Sequence, residues 1–70
     1  MRVNEILSRV EDKELIYLHV GNFGIMHYKH VMMKDVFYEN EHFGDYLVTN
    51  ISVSEVSPNV NVLRIKAVKA

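Results

Sequence analysis

The sequence has no cysteine, no tryptophan, one proline and three glycines among its 70 residues. Without cysteine, the disulfides and thiolate zinc sites that stabilise many small domains are excluded. No apolar run approaches the roughly 20 residues that a membrane-spanning helix needs. The first residues, which include Arg2 and Glu5, lack the apolar centre of a secretory signal. We therefore expect a cytoplasmic chain that does not enter a membrane.

The length limits the chain to a single domain, residues 1–70, because 70 residues cannot build two cores. A domain of this size buries only about 60% of the surface of its unfolded chain, so its stability is marginal. Apolar and aromatic residues make up 49% of the sequence, which is enough for a core. A small margin of stability and a surplus of apolar side chains favour association, either as a homodimer or with a larger protein.

The formal net charge is −1, and no stretch of the sequence is strongly basic. Since phosphate contacts supply most of the affinity for nucleic acid, this balance argues against a nucleic-acid-binding protein. The alternative that remains open is a small nucleic-acid-binding barrel, in which the phosphate contacts would come from Lys29, Arg64, Lys66 and Lys69.

An N-terminal helix is predicted because Val3, Ile6, Leu7 and Val10 follow the i, i+3, i+4, i+7 spacing of a helical stripe. We place this helix at 4–12, with Asn4 as its N-cap.

A first hairpin is predicted from two runs of strand-forming residues, 15–20 and 25–33, on either side of a glycine-rich turn. The favoured connection is a three-residue loop, 22–24, in which Gly24 has a positive φ. That register places His19 opposite His27 and puts Met26 and Tyr28 on the core face. A two-residue loop would shift one strand and mix the two faces.

A second hairpin is predicted where apolar and polar residues alternate in 47–53 and 60–68 around a type I turn at Pro58. The expected cross-strand pairs are Val53 with Leu63, Ile51 with Ile65, and Thr49 with Ala67. Between the hairpins, 36–38 has the composition of a short strand and 39–45 that of a polar loop. The predicted fold is therefore α+β, a short N-terminal helix packed on an antiparallel sheet of four or five strands. The alternative is a bent five-strand barrel of the SH3 or Sm-like kind, capped by the helix.

Two surfaces are predicted to bind a partner protein. The first is the acidic segment between the hairpins, which could face a basic partner. The second is an apolar cluster at the tip of the second hairpin. The acidic surface consists of Asp35, Glu39, Glu41, His42, Phe43 and Asp45. The apolar cluster consists of Val56, Val60 and Val62.

Catalytic and cofactor motifs are absent from the sequence, which has no nucleophile elbow, phosphate-binding loop or zinc-protease motif. We therefore expect a protein that is not an enzyme and binds no cofactor. A metal site formed by His19, His27 and His42 is a further alternative, because a cross-strand pair of imidazoles can share one ion. The leading hypothesis is a small accessory or regulatory protein that acts through protein–protein binding.

Overall fold

The structure is a computed structural model that describes residues 1–31 and 43–69. Helix α1 is Val3–Leu7, and it precedes the antiparallel strands β1, Leu15–Val20, and β2, Phe23–Tyr28. A short helix α2, Lys29–Val31, follows β2. After the undescribed segment, a single 3-10 turn, Phe43–Asp45, leads into β3, Leu47–Ser57, and β4, Val60–Val68.

The four strands form one sheet in the order β2-β1-β4-β3. Both hairpins are antiparallel, but the central strands β1 and β4 run parallel, with Leu18 opposite Ile65. The sheet is therefore mixed, not antiparallel throughout as predicted. It is also not closed, so the barrel alternative is wrong and the α+β fold is confirmed. Strands β2 and β3 form its two edges.

One face of the sheet, which we call the helix face, carries the core. Ile16 and Leu18 of β1 and Ile65 and Ala67 of β4 are buried there beneath the short helical segments. From above, α1 contributes Val3 and Leu7, while the turn before β3 contributes Phe43 and Tyr46. The core lies on the two central strands because, among the described strands, only these have a neighbouring strand on both sides.

Helix α1 is shorter than its apolar stripe predicts and starts earlier. Arg2, in extended conformation, is the N-cap, and its backbone N–H donates to Glu5 Oε1 at 3.0 Å. The helix ends at Leu7, so the predicted range 4–12 and the predicted cap at Asn4 are wrong. Residues beyond Leu7 continue in tighter turns, in which Val10 N–H bonds to the Leu7 carbonyl. Val10 still packs against the core, which explains why the helical spacing extends that far.

The first hairpin has a two-residue turn, with Val20 opposite Phe23. Gly21, not Gly24, has the positive φ, 61°. The predicted three-residue loop is therefore wrong, and every side chain of β2 lies on the face opposite to the predicted one. Strand β2 also ends at Tyr28 instead of continuing to residue 33, and His30, which follows it, is exposed.

The second hairpin matches its prediction more closely. Val53 lies opposite Leu63 and Ile51 opposite Ile65, as expected. A bulge at Thr49 instead pairs Val48 with Ala67, and a second irregularity precedes the turn. Asn59 has φ 65°, a value that a type II turn requires at its third position and a type I turn does not have there.

Within the described residues, no helix is both long and apolar enough to cross a membrane. The predicted short strand at 36–38 and most of the predicted loop at 39–45 lie outside the described residues.

Candidate functional site

Strand β3 is an edge strand of eleven residues, and within the described residues its outer side is paired only at its start. There the N-terminal residues run beside it: Val48 N–H donates to the Met1 carbonyl at 2.8 Å, and Val3 N–H donates to the Tyr46 carbonyl at 3.1 Å. Nothing in the described residues pairs with the outer edge of 50–57. We call this part of β3 the free edge.

The free edge is nearly uncharged and partly apolar. Glu55 is the only charged residue in β3, and no lysine protects the strand, although lysine is a common device against edge-to-edge pairing. On the helix face, Val53 is 67% exposed and Ile51 is 43% exposed. An exposed strand edge with apolar side chains next to it is suited to binding another strand.

Two hollows on the helix face flank the free edge. One, of about 340 Å³, lies between Val10 and Val53; the other, of about 310 Å³, lies between Ile6 and Ile51. Apolar side chains form much of their lining, including Ile6, Val10, Ile51 and Val53. Charged residues also line them, namely Glu5, Arg9, Glu11 and Glu14.

The opposite side of the sheet, which we call the basic face, holds a cluster of rings around a guanidinium group. Tyr17 stacks on His19 with ring centroids 4.2 Å apart. The Cζ atom of Arg64 lies 5.1 Å from the Tyr17 ring centroid, and Arg64 Nη2 is 3.3 Å from His19 Nε2. A guanidinium can only donate, so the imidazole nitrogen accepts this hydrogen bond. Arg64 is thereby held in a defined position on the sheet.

This cluster is assembled by the parallel pairing of β1 with β4. The register places Tyr17 opposite Arg64 and His19 opposite Lys66. On the other side of Tyr17, β2 contributes Met26, which lies opposite it. The exposed Tyr28 is two residues further along β2 on the same face.

The predicted partner-binding residues fall into three groups. Phe43 is buried in the core and Val62 is 1% exposed, so both pack inside the fold. Asp45, Val56 and Val60 are exposed and available to a partner. The remaining four lie outside the described residues: Asp35, Glu39, Glu41 and His42.

The two histidines at the centre of the predicted metal site do not lie together. His19 lies opposite Gly24, whereas His27 lies opposite Ile16, so the two imidazoles project from opposite faces of the sheet. They cannot share one ion, and the expectation of a His19–His27 pair is wrong. Across residues 1–31 and 43–69, no three metal-ligating side chains come together. The third predicted ligand, His42, is outside the described residues.

Comparison of the chain with protein-family models, with curated proteins and with solved structures finds no match.

The sequence contained a signal for the free edge, but on the basic face it indicated the cations alone. The lack of positive charge in 47–57 is visible in the sequence and is typical of an unprotected strand edge. The contact between Tyr17 and Arg64 joins residues 47 positions apart through a parallel pairing that no hairpin rule specifies. The predicted nucleic-acid contacts did include Arg64 and Lys66, but not the rings beside them.

Proposed function

We propose that this chain is a small, non-enzymatic accessory or regulatory protein of the cytoplasm, which acts through protein–protein binding as a homodimer. The observation that carries the proposal is the free edge of β3, with the exposed Ile51 and Val53 beside it. The occupant of this edge is a second copy of the same strand.

The free edge is complementary to itself. Antiparallel pairing of two copies about a two-fold axis at Ser52 would place Ile51 opposite Val53 of the other copy. It would also place Asn50 opposite Ser54 of the other copy, so that polar residues meet polar residues on the basic face. Directly opposed residues in an antiparallel pair point to the same side of the sheet, so each face continues across the axis. Isologous pairing of this kind is the commonest way in which soluble proteins dimerise.

Charge favours the same pairing. In the arrangement centred on Ser52, Glu55 of one copy faces Thr49 of the other, so the two carboxylates do not oppose each other. Like charges placed directly opposite across a strand pair would destabilise the pair. A lysine-rich edge could not associate with itself in this way.

The hollows beside the free edge add apolar surface to the dimer. Ile6 and Val10 border them from the α1 side, and Ile51 and Val53 border them from β3. Pairing would bring the other copy's Ile51 and Val53 next to these hollows on the same face. Apolar area removed from water contributes about 25 cal/mol per Å², which supports association beyond the backbone hydrogen bonds.

The test is sedimentation velocity over a concentration series that extends to high micromolar. The unsubstituted chain is expected to sediment as a dimer. Val53→Lys places two ammonium groups in the joined edge and removes two apolar contacts. Its dissociation constant should rise by about 100-fold, since each 1.4 kcal/mol corresponds to a factor of ten. Circular dichroism should show an unchanged fold, because the Val53 side chain is mostly exposed.

The matched control is Met26→Lys, which introduces the same charge at an exposed apolar position of the other edge strand. This variant should remain dimeric. A strict monomer at high micromolar concentration would overturn the proposal. Equal dissociation of the two variants would show that the interface is not at β3.

A further inference from the structure

Arg64 lies in β4 on the basic face, outside the free edge that the proposed dimer uses. Its guanidinium is half-buried, packed over Tyr17 and bonded to His19. In the described part of the chain no carboxylate forms an ion pair with it; the ion pairs found there join Lys13 to Glu11 and Lys29 to Asp12. A fixed guanidinium without an acidic partner is suited to binding an anion.

The strands around Arg64 carry no acidic side chain on the basic face. In the register, the neighbours of Arg64 on that face are Tyr17 and Ser52, and those of Lys66 are His19 and Asn50. By strand alternation, Glu55 projects on the helix face instead, and Glu14 lines a hollow on that face. Within residues 1–31 and 43–69 the basic face is therefore positive, although the net charge of the whole sequence is −1.

An exposed aromatic ring lies on the same face. Tyr28 is 53% exposed and Met26 is also exposed, both in β2. Sheet dimensions place the Cα atoms of Tyr28 and Arg64 about 12 Å apart, two strands across and one side-chain repeat along. An accessible ring and a fixed cation at this separation match an unpaired base and the phosphate of a nearby nucleotide.

We propose that the basic face binds single-stranded nucleic acid. The phosphodiester backbone contacts Arg64 and Lys66, and a base stacks on Tyr28. Charge complementarity selects this occupant: the strands that flank the cations contribute no acidic neighbour to the face, among the residues that the structure describes, and an exposed aromatic ring provides the stacking surface that unpaired bases require. A duplex would keep its bases stacked on each other and could not use Tyr28.

The test is fluorescence anisotropy with short labelled oligonucleotides of mixed sequence, as single-stranded RNA, single-stranded DNA and duplex, over a series of salt concentrations. Two phosphate contacts predict a slope of about −1.4 for log K against log salt on a single strand. Binding of either single strand more tightly than the duplex supports the proposal. The comparison between RNA and DNA identifies which of the two is preferred.

Three variants separate the contacts. Lys66→Gln, at an exposed position, should reduce the slope by roughly 0.7, the contribution of one phosphate. Arg64→Gln should also reduce the slope by roughly 0.7. In addition, it should weaken binding by about tenfold, as expected for loss of a charge-assisted contact. Tyr28→Ala should weaken binding by about fivefold or more through lost stacking, and the slope should not change.

The matched control is Lys13→Gln, which removes one positive charge at an exposed position outside the sheet. Binding by this variant should stay within about twofold of the original, because screening limits the effect of a distant charge. No binding of either single strand at low salt would overturn the proposal. It would also be overturned if Lys13→Gln weakened binding as much as Lys66→Gln, or if the duplex bound as tightly as the single strands.

Discussion

The ring of Tyr17 occupies the space in which a side chain at position 24 would lie. A Cβ atom built on Gly24 would be 2.6 Å from Tyr17 Oη and 3.0 Å from Cε1. Gly24 therefore allows the close approach of a ring from the neighbouring strand. Its role differs from the predicted one, which was to supply a positive φ in the turn.

Gly24→Ala should destabilise the chain, because the Tyr17 ring must move away from its place beside His19 and Arg64. Overpacking of this kind costs about 1–3 kcal/mol. Urea denaturation of the single variants Gly24→Ala and Tyr17→Ala and of the double variant measures the coupling. In the Tyr17→Ala background, Gly24→Ala should cost much less. An equal cost in both backgrounds would show that the ring is not the cause.

The two hairpin turns each contain one residue with a positive φ, Gly21 at 61° and Asn59 at 65°. A Cβ on Gly21 would meet nothing within 4 Å, so any penalty for substitution there comes from the backbone conformation. Gly21→Ala should lower the free energy of unfolding by about 1 kcal/mol, and Gly21→Asn should lower it less, because Asn tolerates positive φ. Asn59→Gly should leave the free energy of unfolding unchanged or raise it slightly. Thermal denaturation tests all three, and equal stability of Gly21→Ala and the original chain would contradict the expectation.

Ser54 buries its hydroxyl without a hydrogen-bond partner. Its neighbour across the sheet is Val62, which is also buried. Ser54→Ala removes an unsatisfied polar atom and should stabilise the chain by about 1 kcal/mol. Ser52→Ala, on the same face but exposed, is the control and should change stability by less than about 0.5 kcal/mol. A lower urea midpoint for Ser54→Ala would indicate that the hydroxyl is satisfied.

Ile51 and Ile65 are cross-strand partners with different burial: Ile65 is fully buried and Ile51 is 43% exposed. Ile65→Ala should destabilise the chain by about 2–5 kcal/mol through loss of burial and creation of a cavity. Ile51→Ala should have a much smaller effect on unfolding at low protein concentration. If the proposed dimer forms, Ile51→Ala should become more costly as concentration rises. Chemical denaturation at several concentrations measures both effects.

The prediction of the strands themselves rested on strong local signals. Strand β1 has the predicted bounds, and two of the three predicted pairs of the second hairpin, Val53 with Leu63 and Ile51 with Ile65, are present. Alternation of apolar and polar residues and a proline-containing turn specify such a hairpin through contacts close in sequence. The helix was also expected in the correct region, although its apolar stripe continues into turns that are not helical.

The first hairpin shows where local signals are insufficient. Both a two-residue and a three-residue connection fit the sequence Gly21–Gly24, and the choice moves every side chain of β2 to the other face. Tertiary packing decides between them, because the two-residue turn puts Ile25 next to the core and leaves Tyr28 exposed on the basic face. The incorrect expectation of a His19–His27 pair followed directly from the incorrect loop.

The sequence by itself determined that the chain forms two hairpins and an N-terminal helix, because hydrophobic periodicity and turn residues act over a few positions. Only the tertiary structure decided that β1 and β4 lie parallel in the centre. That pairing joins segments more than 40 residues apart and depends on the burial of both central strands at once. It also leaves β3 at an edge and gathers Arg64, Tyr17 and His19 on one face.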